Sequence, residues 1–178
     1  MALENSTILE KINAKFGESV KVDESSLDVL AVIVDRNHSR ELLQFLHDDE
    51  TLRFNFFTDI CGAHYPENDP AAQFGVIYHL HNWIDRVRIR IKVLLPADKP
   101  EIDSVCDLFP AANWCERETY DFYGIIFKGH PDLRRILNMD EMTSFPMRKE
   151  YPMEDPHRTD KDDRYFGRVP QANNVALN

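Results

Sequence analysis

The chain has 178 residues, 43% of them hydrophobic, and a formal net charge of −10, the size of one globular domain with appendages and enough apolar material for a sizeable core. The acidic balance argues against nonspecific nucleic-acid binding and against a polybasic membrane anchor, since both need clustered Lys and Arg. No apolar run reaches bilayer length and Met1 to Asn5 carries neither a basic nor an apolar leader region, which predicts a protein soluble by itself that meets a membrane only through partners.

Thr7 and Glu10 fit a capping box, and Ile8, Ile12 and Phe16 step along one face to a glycine stop at Gly17, predicting a short first helix. Val20 to Val22 and Val29 to Val34 read as strands, the second apolar throughout and so central in a sheet. A second helix is expected from Arg40 to Asp48, capped by Asn37 or Ser39, with Leu42, Leu43, Phe45 and Leu46 toward the sheet.

Phe54, Phe56, Thr58 and Ile60 alternate with Asn55, Phe57 and Asp59 in an imperfect strand that runs toward Tyr65, followed by a loop over residues 66–72. The clearest pattern comes next. Phe74, Val76, Tyr78 and Leu80 alternate with Gly75, Ile77, His79 and His81, and after a turn near Asn82 to Asp85 the period resumes at Val87, Ile89, Ile91 and Val93. An antiparallel hairpin from Gln73 to Leu95, with Val76, Tyr78, Ile89 and Ile91 inward, is therefore expected. His79 and His81 share one side of the strand, but no third metal ligand of convincing spacing accompanies them. Cys61, Cys106 and Cys115 are odd in number and lack Cys-x-x-Cys spacing, so neither a disulfide framework nor a zinc or iron-sulfur site is encoded. There is no glycine-rich phosphate loop.

Pro96 to Pro110 reads as a connector with a turn of helix at Ser104 to Leu108. Pro110 as first helical residue and Gly124 as left-handed stop frame a third helix. On it Trp114, Cys115, Phe122 and Tyr123 are expected to face the core, leaving Glu116, Arg117, Glu118 and Asp121 on the other side, with Arg117 and Asp121 paired at i,i+4. The carboxylates read either as an acid/base set or, more simply, as a solvated or partner-facing surface. Gly129-His130-Pro131-Asp132 makes a rigid turn after the β-like run Ile125 to Phe127. His-Pro-Asp also marks J-domain co-chaperones, but the flanks here do not resemble theirs. Arg134 and Arg135 set two guanidiniums in an apolar frame, which fits a docking surface or an internal salt bridge to the acidic helix. Beyond Pro152 the composition turns polar, with Tyr165 and Phe166 among few apolar anchors, predicting a tail that is loose alone and ordered on a partner.

Glu116-Arg117-Glu118-x-Tyr120-Asp121-Phe122-Tyr123-Gly124-Ile125, then Gly129-His130-Pro131-Asp132-Leu133-Arg134-Arg135-Ile136-Leu137, then Pro146-x-Arg148-Lys149-x-Tyr151-Pro152 closely resembles the signature of the C subunit of NADH:quinone oxidoreductase, respiratory complex I. Family members often have Gly before the aromatic, or His and Pro, where Ser144 and Phe145 stand, Leu at Met147 and Asp at Glu150. The resemblance implies an α+β fold with a mostly antiparallel sheet, helices on one face and an extended C-terminal segment that wraps partner subunits. It divides the chain into a scaffold at 1–110, a signature helix and proline-bracketed docking segment at 111–152 and a partner-binding tail at 153–178.

By the same resemblance the chain is a structural subunit without catalytic, cofactor-binding or metal-binding residues. NADH, FMN, iron-sulfur clusters and quinone belong to the assembled, proton-translocating enzyme. Partners are implied to be the D, B and I subunits of its peripheral arm, on the cytoplasmic side of the bacterial inner membrane. The implied partner-interface residues are Glu116, Arg117, Glu118, Asp121, Gly124, His130, Pro131, Asp132, Arg134, Arg135, Arg148, Lys149, Tyr165 and Phe166. Two alternatives stand beside this: the same module in a ferredoxin- or formate-linked or hydrogenase complex, and a free-standing acid/base hydrolase using Glu116, Glu118 and Asp121 with His130.

Overall fold

A computed structural model describes residues 3–151. Its elements are α1 (Asn5–Phe16), β1 (Val20–Val22), β2 (Leu30–Val34), α2 (Arg36–Asp48), β3 (Phe56–His64), β4 (Phe74–Asn82), β5 (Val87–Leu95), β6 (Glu101–Asp103), α3 (Ala112–Tyr123) and β7 (Ile126–Lys128). The main sheet has the order β1-β2-β5-β4-β3, antiparallel at every step except β2 against β5. The fold is α+β with a mostly antiparallel sheet.

The expected hairpin forms, with Val76 opposite Val93, Tyr78 opposite Ile91 and Leu80 opposite Ile89. Opposite residues share a face, so this register puts one apolar stripe inward, where it joins Val32 and Val34 of β2, Ile8, Ile12 and Phe16 of α1 and Leu42, Leu43 and Leu46 of α2 in a single core. α3 lies on that same face at the β3 edge: Gly62, opposite Val76, sits so close to Thr119 and Tyr123 that a Cβ there would clash with the Tyr123 ring. The other face carries Arg90 and Lys92, which hold the loop before β2. Lys92 lies 2.6 Å from Asp23 and keeps that carboxyl down at about 2, and Arg90 reaches Asp28 at 3.6 Å.

Several boundaries move, each for a local reason. α1 starts at Asn5 without a side-chain cap, so the capping box at Thr7 and Glu10 does not form. α2 begins at Arg36 because Asp35 caps it, accepting from the Asn37 N–H. α3 begins at Ala112 because Pro110 belongs to the preceding turn. β3 starts at Phe56 and contains a bulge between Phe57 and Asp59. An extra residue switches the side-chain alternation, so Phe57 lies opposite Leu80 while Asp59 lies opposite His79 on the outer face. The connector after Pro96 contains β6, which pairs in parallel with β7 across α3.

Candidate docking site

α3 carries the signature, and its buried side is the charged one. Cys115 and Tyr123 pack on the core as expected and Glu118 is exposed, but Trp114 is 61% exposed and Glu116, Arg117, Thr119 and Asp121 are buried, against the expected faces. The cause lies in what covers the helix. Two polar loops, residues 104–106 and 134–138, bring unpaired backbone groups against it, and charged side chains satisfy these where apolar ones could not.

Glu116, with no exposed surface, accepts from Val105 N at 2.8 Å, Ser104 Oγ at 2.7 Å and the Cys106 thiol at 3.3 Å. Burial raises its pKa above the ordinary range, and these bonds oppose that only in part. Asp121, also unexposed, accepts at Oδ2 from the N–H groups of Ile136, Leu137 and Asn138 at 3.1, 2.8 and 2.9 Å, and at Oδ1 from Arg135 at 2.7 Å. Here too burial opposes the charge, but three backbone donors and a guanidinium outweigh it and hold the carboxyl well below the usual range. Arg117 does not pair with Asp121. It donates to the carbonyls of Arg134 and Arg135 at 3.2 Å each and lies over the Trp114 ring.

Two arginines complete the frame. The Arg135 side chain, 8% exposed, also donates to the carbonyls of Met142 and Ser144 at 2.6 and 2.9 Å and lies over the Phe145 ring. Arg148 donates to the Tyr123 carbonyl at 2.8 Å and is sandwiched between the Phe74 and Phe145 rings at 4.9 and 4.8 Å. Gly124 makes room for Arg148 and Phe145: it turns the chain with φ of 73°, and a Cβ there would lie 2.6 Å from each. Lys149 N–H donates to His64 Nδ1 at 3.0 Å, tying the segment to the β3 edge.

The expected interface set thus divides. Glu116, Arg117, Asp121, Arg135 and, in large part, Arg148 are turned inward as a scaffold and are not free for a partner. Glu118, Pro131, Asp132, Arg134 and Lys149 are exposed or half-exposed, and His130 is half-buried. Arg134, 68% exposed, pairs only with Asp132 at 2.9 Å among the described residues. His130 accepts at Nδ1 from Asp132 N–H and donates from Nε2 to the Asn113 carbonyl, so its turn is fastened to α3. Tyr165 and Phe166 lie outside the described residues. Sequence reasoning missed the outward apolar groups of the segment, Trp114, Leu137, Met139, Met147 and Tyr151, all exposed. Their spacing follows neither helix nor strand, so periodicity carried no signal.

The acid/base set converges only at Glu116 and His130: Glu116 faces residues 104–106, Asp121 faces 135–138 and Glu118 is exposed. Among the described residues, Cys106, Glu116 and His130 form one group with metal-ligand atoms within 4.8 Å, and Asp59, Cys61 and His79 form another. The second supplies neighbours for His79 that only the strand register reveals. There His79 Nε2 accepts from Arg90 at 3.1 Å and Cys61 donates to Asp59 at 3.1 Å, while in the first both His130 nitrogens are engaged. Burial pushes the Cys61 and Cys106 thiols up to about 12 and about 11, away from nucleophilic thiolates. No helix among the described residues is long and apolar enough to cross a membrane.

The sequence profile described as "Respiratory-chain NADH dehydrogenase, 30 Kd subunit" matches residues 32–157. The chain belongs to this family. It is 38% identical over 174 residues to the C subunit of the NADH-quinone oxidoreductase of Roseiflexus sp. strain RS-1, covering 97% of this chain and 99% of that one. The C subunit of the Geotalea uraniireducens enzyme is 37% identical over 166 residues, 93% and 96% of the two chains. Among solved structures, a trypsin-resistant fragment (1-134) of Nqo5 superposes with a TM-score of 0.61 at 34% identity, over 72% of this chain and 98% of the fragment. A chain of an archaeal membrane-bound sulfane sulfur reductase shares the fold, with a TM-score of 0.69 at 24% identity over 83% and 85% of the two chains.

Proposed function

We infer that the chain is a structural subunit of the peripheral arm of an NADH:quinone oxidoreductase, supporting electron transfer from NADH to quinone coupled to proton translocation. It contributes no catalytic side chain and holds no cofactor; NADH, FMN, iron-sulfur clusters and quinone are handled by other subunits. The family match across residues 32–157, which spans the whole signature, carries this role. The frame around Asp121 and Arg135 supports it, because a rigid segment with outward Trp114, Leu137 and Met139 has the preorganised apolar character of a protein interface.

This surface meets the D subunit first, then the B and I subunits, on the cytoplasmic side of the inner membrane, with the membrane reached only through them. Residues 153–178, with Tyr165 and Phe166 as anchors, wrap a neighbouring subunit. The test is affinity purification of the tagged full chain from its native organism. Copurification of the quinone-site and cluster-bearing subunits, with NADH:quinone activity, is expected; a chain recovered alone would exclude the role.

A further inference from the structure

A second surface lies at the opposite end of the sheet. The docking segment is fastened at the Phe74 and His64 end of β4. The β4–β5 turn lies beyond Asn82, at the far end of this nine-residue strand, about 27 Å away at about 3.3 Å per residue.

The turn is rigid. Asn82, fully buried, accepts at Oδ1 from the N–H groups of Ile84 and Asp85, and its amide donates to the Leu52 carbonyl and to Asp85, all at 2.8 to 2.9 Å. Such a lock could have carried small polar residues at the tip, yet it holds Trp83 and Ile84 out at 68% and 67% exposure. Trp83 is braced by Phe56 and His81, with ring centroids 5.7 and 5.4 Å away. Arg86 takes φ of 59°, a backbone state that glycine adopts without strain. An arginine kept there is an outlier that points to use of its side chain.

Charge identifies the occupant. In a chain of net charge −10, the open cavity of about 560 Å³ at this tip is lined by His81, Trp83, Ile84, Arg86 and Arg88. Arg53 nearby is already held by Asp85 at 3.7 Å. Among the described residues, neither Arg86 nor Arg88 has a carboxylate within salt-bridge distance.

We propose that the β4–β5 turn is a second docking surface, which seats an apolar side chain of a partner protein against Trp83 while carboxylates flanking it pair with Arg86 and Arg88. This rests on the chain's role in assembly. Tryptophan and arginine in a preorganised setting are the anchors protein interfaces favour. An anionic bilayer is the weaker fit, because the acidic remainder of the chain opposes approach to it.

The experiment places a photo-crosslinking amino acid at Trp83 in the tagged full chain, expressed in the native organism, and identifies the joined peptide in the purified complex. A peptide of another subunit, with Asp or Glu within a few residues of the joined position, is expected. In the complex carrying natural Trp83, Arg86→Glu with Arg88→Glu should then weaken retention in mild salt roughly tenfold, a hot-spot-sized effect, with the melting temperature of the free chain unchanged. A join to lipid, to a second copy of this chain or to nothing overturns the proposal, as does retention unaffected by the double charge reversal. If the tagged chain brings down no other subunit even when unaltered, the assembly role itself fails, and the two failures are told apart.

Discussion

In the first half of α3, Glu116 is shut away from water with a serine hydroxyl, a thiol and one backbone N–H around its carboxylate. Five residues on, Asp121 is also unexposed but meets three backbone N–H groups and the Arg135 guanidinium. Burial raises the pKa of the first, while donors overcome burial and lower that of the second. Neither side chain is exposed, yet the outcomes are opposite: Glu116 lies deeper and has fewer donors, whereas Asp121 has more donors and a cationic one. Glu116 is a tolerated polar contact beneath the 104–106 turn, whereas Asp121 is the point on which residues 135–138 are wound.

The sharpest way to break this contrast is Asp121→Asn. The change removes the negative charge facing Arg135 and turns an amide toward backbone donors, so the free chain should lose about 3–5 kcal/mol, the usual cost of stranding one member of a buried pair. Thermal melts read the loss, and hydrogen exchange should locate it in residues 133–148. A melting temperature within about a degree of the parent's would show that the Asp121 network is ornamental.

Acid tests the same pair without mutation. Asp121 has a folded pKa below its unfolded value near 3.9. Its contribution is complete above that unfolded value and is lost as pH falls toward the folded one. The parent should therefore weaken below about pH 4 more steeply than Asp121→Asn, the two curves converging in acid. Glu116 has the opposite sign: with its folded pKa raised, its contribution is complete below the unfolded value near 4.3 and declines as pH rises through the folded value. Parallel stability curves for the parent and Asp121→Asn would remove Asp121 from the acid response.

Next in size is Gly124→Ala, which forces a Cβ into a left-handed position, about 1–2 kcal/mol by itself, and to within 2.6 Å of Arg148 and Phe145. Loss of the Arg148 bond to Tyr123 should appear as faster exchange in residues 145–149. Glu116→Gln should do less. Gln keeps an acceptor for Val105 N–H and has no charge to bury, so a change within about 1 kcal/mol is expected, and the decline of stability with rising pH should flatten. A loss as large as that of Asp121→Asn would dissolve the contrast between the two carboxylates.

Much of this was readable in the chain. The hairpin was clear because Phe74 to Val93 keeps period two on both arms, and Gly124 because a left-handed stop favours glycine. The bulge in β3 was not readable, since one inserted residue changes the alternation without leaving a compositional mark. The faces of α3 were legible only in part, Cys115 and Tyr123 inward but Trp114 out and Glu116, Arg117 and Asp121 in, for a physical reason. A periodicity argument assumes that the inner face is apolar, and here the cover is the backbone of residues 134–138, which calls for charge. β7 was legible as the β-like run Ile125 to Phe127, whereas its three-residue partner β6, in the connector after Pro96, left no pattern.

Arg134 and Arg135 stood in the sequence as an equivalent pair, yet one is exposed and the other is enclosed by Asp121 and two loop carbonyls. Arg134→Ala is accordingly the smallest expected change in the free chain. Its bond to Asp132 spans two residues in water, where such pairs contribute about 0.2–1 kcal/mol. If Arg134 is one of the groups that meets a partner subunit, removing it leaves the partner carboxylate unpaired on assembly, which costs more than the surface pair ever contributed. The yield of assembled complex should then fall while the melting temperature of the isolated chain stays within about two degrees. Arg135→Ala should do the reverse, lowering the melting temperature first and the yield through it. If Arg134→Ala left the yield untouched, the partner contact would have to be sought in Trp114, Leu137 and Met139 alone.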